Sequence, residues 1–170
     1  MKISILLPYK ENFSPVYAGA VSLFVKDTVK LSEYKKYITV FGNTNLRNIF
    51  KLTYKNIKLN RKLIQSGSKL YVNEFLKFEN KLPSDLIEIH NRPNYFHLIY
   101  KKINKQKIVL YFHNDPLTMT GSKSILDRKK LLFNAAKIIF NSHWSRKRFL
   151  QGIEEGMHVN SEKLIVIYQS

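Results

Sequence analysis

Two histidines stand at corresponding places in this chain. His113 follows the apolar run Ile108-Val109-Leu110-Tyr111-Phe112 and opens the segment His113-Asn114-Asp115-Pro116. His90 follows Leu86-Ile87-Glu88-Ile89 and opens His90-Asn91-Arg92-Pro93. An imidazole titrates near neutral pH and both donates and accepts hydrogen bonds. Asn adds an amide donor and acceptor, Asp a carboxylate acceptor, and Arg offers a bidentate fork to phosphate or carboxylate. Such a set suits a sugar or phosphate ligand. A plainer role stays open at each place. Asn and Asp favour turns that cap a following helix, and Pro93 suits a first helical turn that leaves Arg92 in solvent.

A repeated local pattern positions these groups. A short apolar run closed by turn residues reads as a buried parallel strand. In open α/β sheets, ligands bind outside the carboxyl ends of such strands. Strands are predicted over 2–8, 37–41, 86–89, 108–112, 137–140 and 164–167, with helices over 20–32, 94–103, 124–135 and 145–150. Tyr71, Phe75, Phe78 and Leu82 suit a further helix that ends before Pro83. Region 44–68 is basic and fits one or two amphipathic pieces or a hidden strand, with Gly67 as a break. Alternation of this kind predicts right-handed βαβ units: an α/β fold with one Rossmann-like, doubly wound parallel sheet and helices on both faces.

Other places carry weaker signals. In Tyr17-Ala18-Gly19-Ala20 a glycine opens a helix, where backbone N–H groups can meet a phosphate, or simply make a tight turn. Asn141-Ser142-His143-Trp144-Ser145-Arg146-Lys147-Arg148 ends another strand. Ser142 or Ser145 is a natural N-cap, Trp144 and Phe149 can staple the helix, and the cations can meet phosphates or form a solvated face. Basic clusters at Lys101, Lys102, Lys105 and Lys107, at Arg128-Lys129-Lys130, and at 55–62 read singly as solvated and jointly as a patch for anionic lipid. No GxGxxG, P-loop, HExxH or GxSxG motif is present. His90, His97, His113, His143 and His158 lack metal-site spacing, so no metal is expected.

Composition narrows the classes further. A chain of 170 residues with 44% hydrophobic content supports a real core. The absence of cysteine excludes disulfides, thiolate zinc sites and Cys nucleophiles. No run is long enough to span a membrane, the N-terminus lacks a signal-peptide pattern, and a cytoplasmic setting is the default. The formal charge of +17 favours anionic partners. It motivates a rival class, a non-catalytic basic Rossmann-like module for nucleic acid or an anionic membrane. Against specific nucleic-acid binding, Tyr111, Phe112 and Phe140 sit at core-periodic positions, and no RRM, KH or zinc-finger signature occurs.

Four segments together resemble the N-terminal domain of GT-B glycosyltransferases, specifically the retaining family 4. They are MKISILLP with the Gly19 loop, LIEIHNRP, KIVLYFHNDP, and KIIFNSHWSRKRF leading to KLIVIYQS. The resemblance spans nearly the whole chain. It implies an acceptor-side domain over 1–170, with the donor-binding domain beyond it. It implies sugar transfer from a nucleotide-sugar donor, without metal or other cofactor, to a glycan or lipid-linked acceptor in cell-envelope polysaccharide or lipopolysaccharide synthesis. The expected place is the cytoplasm or the inner face of its membrane. By the same resemblance His113 sits beside the transferred sugar, hydrogen-bonding it and stabilising developing positive charge. Gly19 and Ala20 form the donor-phosphate loop, where the family has two glycines. Tyr9, His90, Asn91, Arg92, Asn114, Asp115, Ser142 and Arg146 line the acceptor and sugar side. The chain ends just after its last strand, at Val166-Ile167-Tyr168-Gln169-Ser170. It is therefore expected to be part of a longer enzyme and inactive alone.

Overall fold

The computed structural model describes residues 1–59, 66–103, 106–153 and 161–168. Predicted features that involve Lys62, Leu63, Lys105, His158, Gln169 and Ser170 lie outside the described residues. Seven strands form one parallel sheet in the order β3-β2-β1-β4-β5-β6-β7. They are β1 (Ile3–Leu6), β2 (Ile38–Gly42), β3 (Tyr54–Asn56), β4 (Leu86–His90), β5 (Lys107–Phe112), β6 (Lys137–Phe140) and β7 (Leu164–Val166). Five helices alternate with them: α1 (Ala20–Leu31), α2 (Gly67–Lys81), α3 (Pro93–Tyr100), α4 (Ile125–Asn134) and α5 (His143–Leu150). This is the predicted doubly wound fold. The chain divides into two compact units, 1–87 and 88–170.

In the first unit β1 is buried at every position, as a central parallel strand must be. It pairs with β2 in the register Ile3 to Ile38 through Leu6 to Phe41. Val21, Val25 and Val29 recur at helical spacing on α1 and close over Ile3, Ile5, Ile38 and Val40. Phe13 is fully buried, stacked on Tyr54 and edge-on to Phe50, each at 5.1 Å between centroids. Two buried polar groups pin the helix α2. Tyr71 Oη donates between the Leu7 and Phe41 carbonyls, 3.1 and 3.3 Å away. The Glu79 carboxylate, 1% exposed, accepts from Ser4 Oγ at 2.6 Å, Ser84 N at 2.9 Å and Ser84 Oγ at 2.7 Å.

Region 44–68 holds the hidden strand that was one of its readings, β3, only three residues long. One expectation needs correction here. Gly67 does not break structure; it is the first residue of α2, capped by Ser66, whose side chain accepts from Lys69 N. A Cβ at Gly67 would meet the Tyr9 ring at 2.6 Å, which explains a glycine in the first turn.

In the second unit β5, β6 and β7 run parallel, Phe112 opposite Phe140 and Phe140 opposite Val166. Phe112, Phe140 and Phe149 form one aromatic cluster with centroids 5.4–5.6 Å apart. Ser142 caps α5 and Ser124 caps α4. The predicted staple by Trp144 fails. Phe149 is fully buried, but Trp144 is 59% exposed and lies under the Arg148 guanidinium, 5.7 Å away. Residues five apart on a helix point about 140° apart, so one face cannot bury both. After β5 the chain turns through Gly121 at φ +96°, where a Cβ would meet the Asn94 backbone N at 2.5 Å. His97 Nε2 bonds the Gly121 carbonyl at 2.8 Å.

Candidate functional site

The second unit gathers most of the predicted residues at the carboxyl ends of β4, β5 and β6. Alternation along a strand puts Glu88 and His90 on one face of β4, while Tyr111 lies near the end of β5 and His113 is the first residue after it. The two histidines meet there: His113 Nε2 lies 2.8 Å from His90 Nδ1. On its other side the fully buried His90 ring reaches Glu88, with Nε2 2.5 Å from Oε1. Tyr111 stacks on both rings, 4.5 Å from His113 and 5.4 Å from His90. The result is a carboxylate–imidazole–imidazole chain that includes a half-buried His113.

Backbone contacts fix the same residues. Asn91 takes φ 54°, a left-handed conformation that Asn tolerates better than most residues. Its N donates to the Tyr111 carbonyl at 2.7 Å, and its Oδ1 accepts from His113 N at 3.3 Å. Asn141 Nδ2 donates to the His113 carbonyl at 2.7 Å. His113 is thus held at both ends of its own backbone.

The remaining second-unit candidates divide by commitment. Asp115 accepts from Leu117 N at 3.0 Å and pairs with Arg148, whose Nη2 is 3.0 Å from Oδ2. Partial burial resists its ionisation, yet the Arg148 hydrogen bond, the Leu117 N–H and the Arg148 charge together hold the carboxyl below its usual range. Arg92 donates to the Asn91 carbonyl at 2.8 Å. Ser142 serves as the α5 cap and contacts Asn141 and Ser145. Asn114 is exposed. Arg146 is half-buried, and its Nε is buried with no hydrogen-bond partner among the described residues. Of the candidates, Arg146 and Asn114 are the least tied to the fold.

The first unit holds Tyr9, Gly19 and Ala20. Gly19 is the N-cap of α1 in an extended conformation. The Glu11 carboxylate already lies there: it accepts from Ser22 N at 3.1 Å, and a Cβ on Gly19 would clash with it. A helix N-terminus favours negative charge, and here the chain supplies its own. Tyr9 lines a cavity of about 690 Å³ with Lys10, Asn12, Asn43, Thr44, Asn45 and residues of the β3 end, all from segments just after β1, β2 and β3. Its amides are oriented by mutual bonds. Thr44 Oγ1 contacts Asn12 Oδ1 at 3.1 Å, while Asn56 bonds Thr44 N at 3.0 Å and Thr44 O at 2.8 Å. Among the described residues, Lys10 and Lys58 supply its only charges. Such a lining suits a polyhydroxylated ligand that carries negative charge.

Three residues of consequence were missed by sequence reasoning. Glu88 stands two positions before His90, a same-face signal that was available. Glu11 and Asn141 act through contacts that only the folded loops create. Among the described residues no three His, Cys, Asp or Glu side chains are grouped so as to hold a metal ion, and no helix is long and apolar enough to cross a membrane.

No family model matches the chain, and no curated protein matches it. Solved structures do. HepE from Anabaena, in complex with UDP and glucose, is similar over 99% of this chain and 44% of its own, with a TM-score of 0.65 and 18% identity. Its complex with UDP-glucose gives 0.66 and 17% over the same shares. Sucrose-phosphate synthase from Thermosynechococcus elongatus is similar over 99% of this chain and 48% of its own, at 0.65 and 10% identity. UDP-N-acetylglucosamine 2-epimerase from Rickettsia bellii is similar over 98% of this chain and 44% of its own, at 0.60 and 12%. The chain spans less than half the length of each of these. At such identities the likeness is one of fold, and that fold is a single Rossmann-like parallel sheet, one half of a GT-B fold.

Proposed function

We propose that this chain is the N-terminal, acceptor-side domain of a retaining, metal-independent glycosyltransferase of the family 4 type. It would transfer a sugar from a nucleotide-sugar donor to a glycan or lipid-linked acceptor of the cell envelope, at the inner face of the cytoplasmic membrane. The observation that carries this reading is the His90–His113 pair at the carboxyl edge of a fold shared with proteins solved with UDP and UDP-glucose. In this reading His113 bonds the transferred sugar and eases its developing positive charge, and Arg146 meets an anionic group of donor or acceptor. The amide-lined cavity of the first unit takes the acceptor, with Lys10 and Lys58 reading its charge. Donor phosphate at the α1 N-terminus would displace Glu11.

The test is turnover of a nucleotide-sugar panel by the full-length enzyme and its His113→Ala variant. A loss of about 100-fold or more in kcat is expected, the scale of a positioned imidazole. Equal turnover by the variant, or no binding of any panel member, overturns the reading. The charge of +17 motivates a second reading, a basic module for nucleic acid or anionic membrane. Micromolar or tighter single-strand binding at physiological salt, with a steep salt slope, would favour the nucleic-acid form. Binding to anionic vesicles without any nucleotide-sugar turnover would favour the membrane form.

A further inference from the structure

We infer that Glu88 and His90 are positioning residues that hold His113 as its Nε2–H tautomer and make Nδ1 the atom at which His113 takes up a proton. This deepens the role proposed above for His113 and rests on that role for its use, but its physical core stands on three side chains of one unit.

The direction of the chain of hydrogen bonds is set by its fixed end. A carboxylate has no proton to give near neutral pH, so the 2.5 Å contact requires His90 Nε2 to donate to Glu88 Oε1. Neutral His90 then has its lone pair on Nδ1. The 2.8 Å contact to that nitrogen requires His113 Nε2 to be the donor. Neutral His113 therefore keeps its second lone pair on Nδ1. A proton arriving there from a ligand hydroxyl or from water is balanced by moving the Nε2 proton of His113 onto His90 Nδ1. The O–H bond of that hydroxyl or water breaks and leaves its electron pair on oxygen; within the protein one N–H bond forms at His113 Nδ1, the one at His113 Nε2 breaks, and one forms at His90 Nδ1. His113 ends neutral with its proton on Nδ1, and the positive charge rests on His90 against Glu88.

Burial gives the arrangement its force. The His90 side chain is 0% exposed and Glu88 25%, so the charge is delivered to a site where the carboxylate is poorly screened. Among the described residues, the titratable or charged groups on neighbouring segments of this unit include Tyr111 and Lys107 on β5, Arg92 and His97 at and on α3, Asp115, and His143, Arg146, Lys147 and Arg148 on α5. Asp115 and Arg148 are paired with each other.

The test needs no substrate. In the ¹⁵N-labelled full chain at pH 8, a scalar coupling across the hydrogen bond should link His113 Nε2 to His90 Nδ1, with both rings carrying their proton on Nε2. In Glu88→Gln, whose amide can present an N–H to His90 Nε2, the fixed order of tautomers should be lost and the coupling should weaken, while chemical shifts elsewhere stay put. Glu88 is partly exposed, so this variant should fold; His90→Gln serves as a second variant and should abolish the coupling. Tautomers unchanged by Glu88→Gln, or absence of the coupling in the wild type, overturns the inference. In the full-length enzyme Glu88→Gln should lower kcat and leave the KM for the donor nearly unchanged. Turnover without the coupling would sink this inference alone; the coupling without turnover would sink the proposed function alone.

Discussion

Arg148 and Asp115 lie 33 residues apart in the chain and meet through three nitrogen–oxygen contacts of 3.0–3.4 Å. The pair ties the turn after β5 to α5, just beyond His113. Because the native Asp115 carboxyl is held below its ordinary value of 3.8, its contribution is present above that value. It is lost as pH falls through the native midpoint. Asp115→Asn should cost about 1 kcal/mol at pH 7, a figure limited by the solvent exposure of Arg148. The gap between variant and wild type in urea unfolding should close below about pH 4. A gap unchanged at pH 3 would contradict it.

Glu79 is a different kind of carboxylate, buried and satisfied by three donors from two serines. Glu79→Ala leaves Ser4 Oγ, Ser84 N and Ser84 Oγ without their acceptor inside the core. The expected cost is about 3 kcal/mol, read as a lower urea midpoint at constant m-value. Glu79→Gln, which keeps an acceptor oxygen, should recover part of it.

Tyr54 sets a prediction at the alkaline end. Burial pushes its phenol up to about 12, against a smaller opposing pull from the Thr44 backbone. The fold holds the neutral form, so this contribution is complete below pH 10 and is lost as pH rises from 10 towards 12. Tyr54→Phe cannot ionise. Relative to wild type it should gain on the order of 2 kcal/mol across that interval. Parallel pH curves for the two proteins would show that Tyr54 titrates normally.

Glu11 links stability to ligand binding. Its carboxylate caps Ser22 N, so Glu11→Ala should destabilise the first unit by about 1 kcal/mol. If donor phosphate uses the α1 N-terminus, the same variant should bind UDP about fivefold tighter, because the competing charge is gone. The Ser22 amide shift during UDP titration reports both events. Weaker or unchanged UDP affinity, with the stability loss intact, would make Glu11 a cap and nothing more.

Much of the fold could be read from the chain because parallel strands are buried on both faces. Continuous runs such as Ile108–Phe112 then announce themselves, and the residues immediately after each run fall at the ligand-binding edge. The strand β3 announces nothing. It has one half-buried and two exposed residues, so hydrophobic patterning is silent. His90 and His113 were legible as candidates, but their meeting was not, since register between strands is set by tertiary packing. Arg146 was named by resemblance alone for a related reason. Neighbouring cations on α5 look alike in sequence, and only the fold shows that Arg148 is spent on Asp115 while Arg146 keeps a buried nitrogen without a partner among the described residues.

Gly121 sets a limit on variation. Its φ of +96° and the Asn94 backbone beside it exclude any side chain, whereas its neighbours Thr120 and Lys123 are exposed. A library that randomises the loop between β5 and α4 and selects for folded protein should return diversity at those two positions and a single surviving codon family at Gly121. Any attempt to retune ligand preference through that loop must therefore work around one immovable point, on which the first turn of α3 rests.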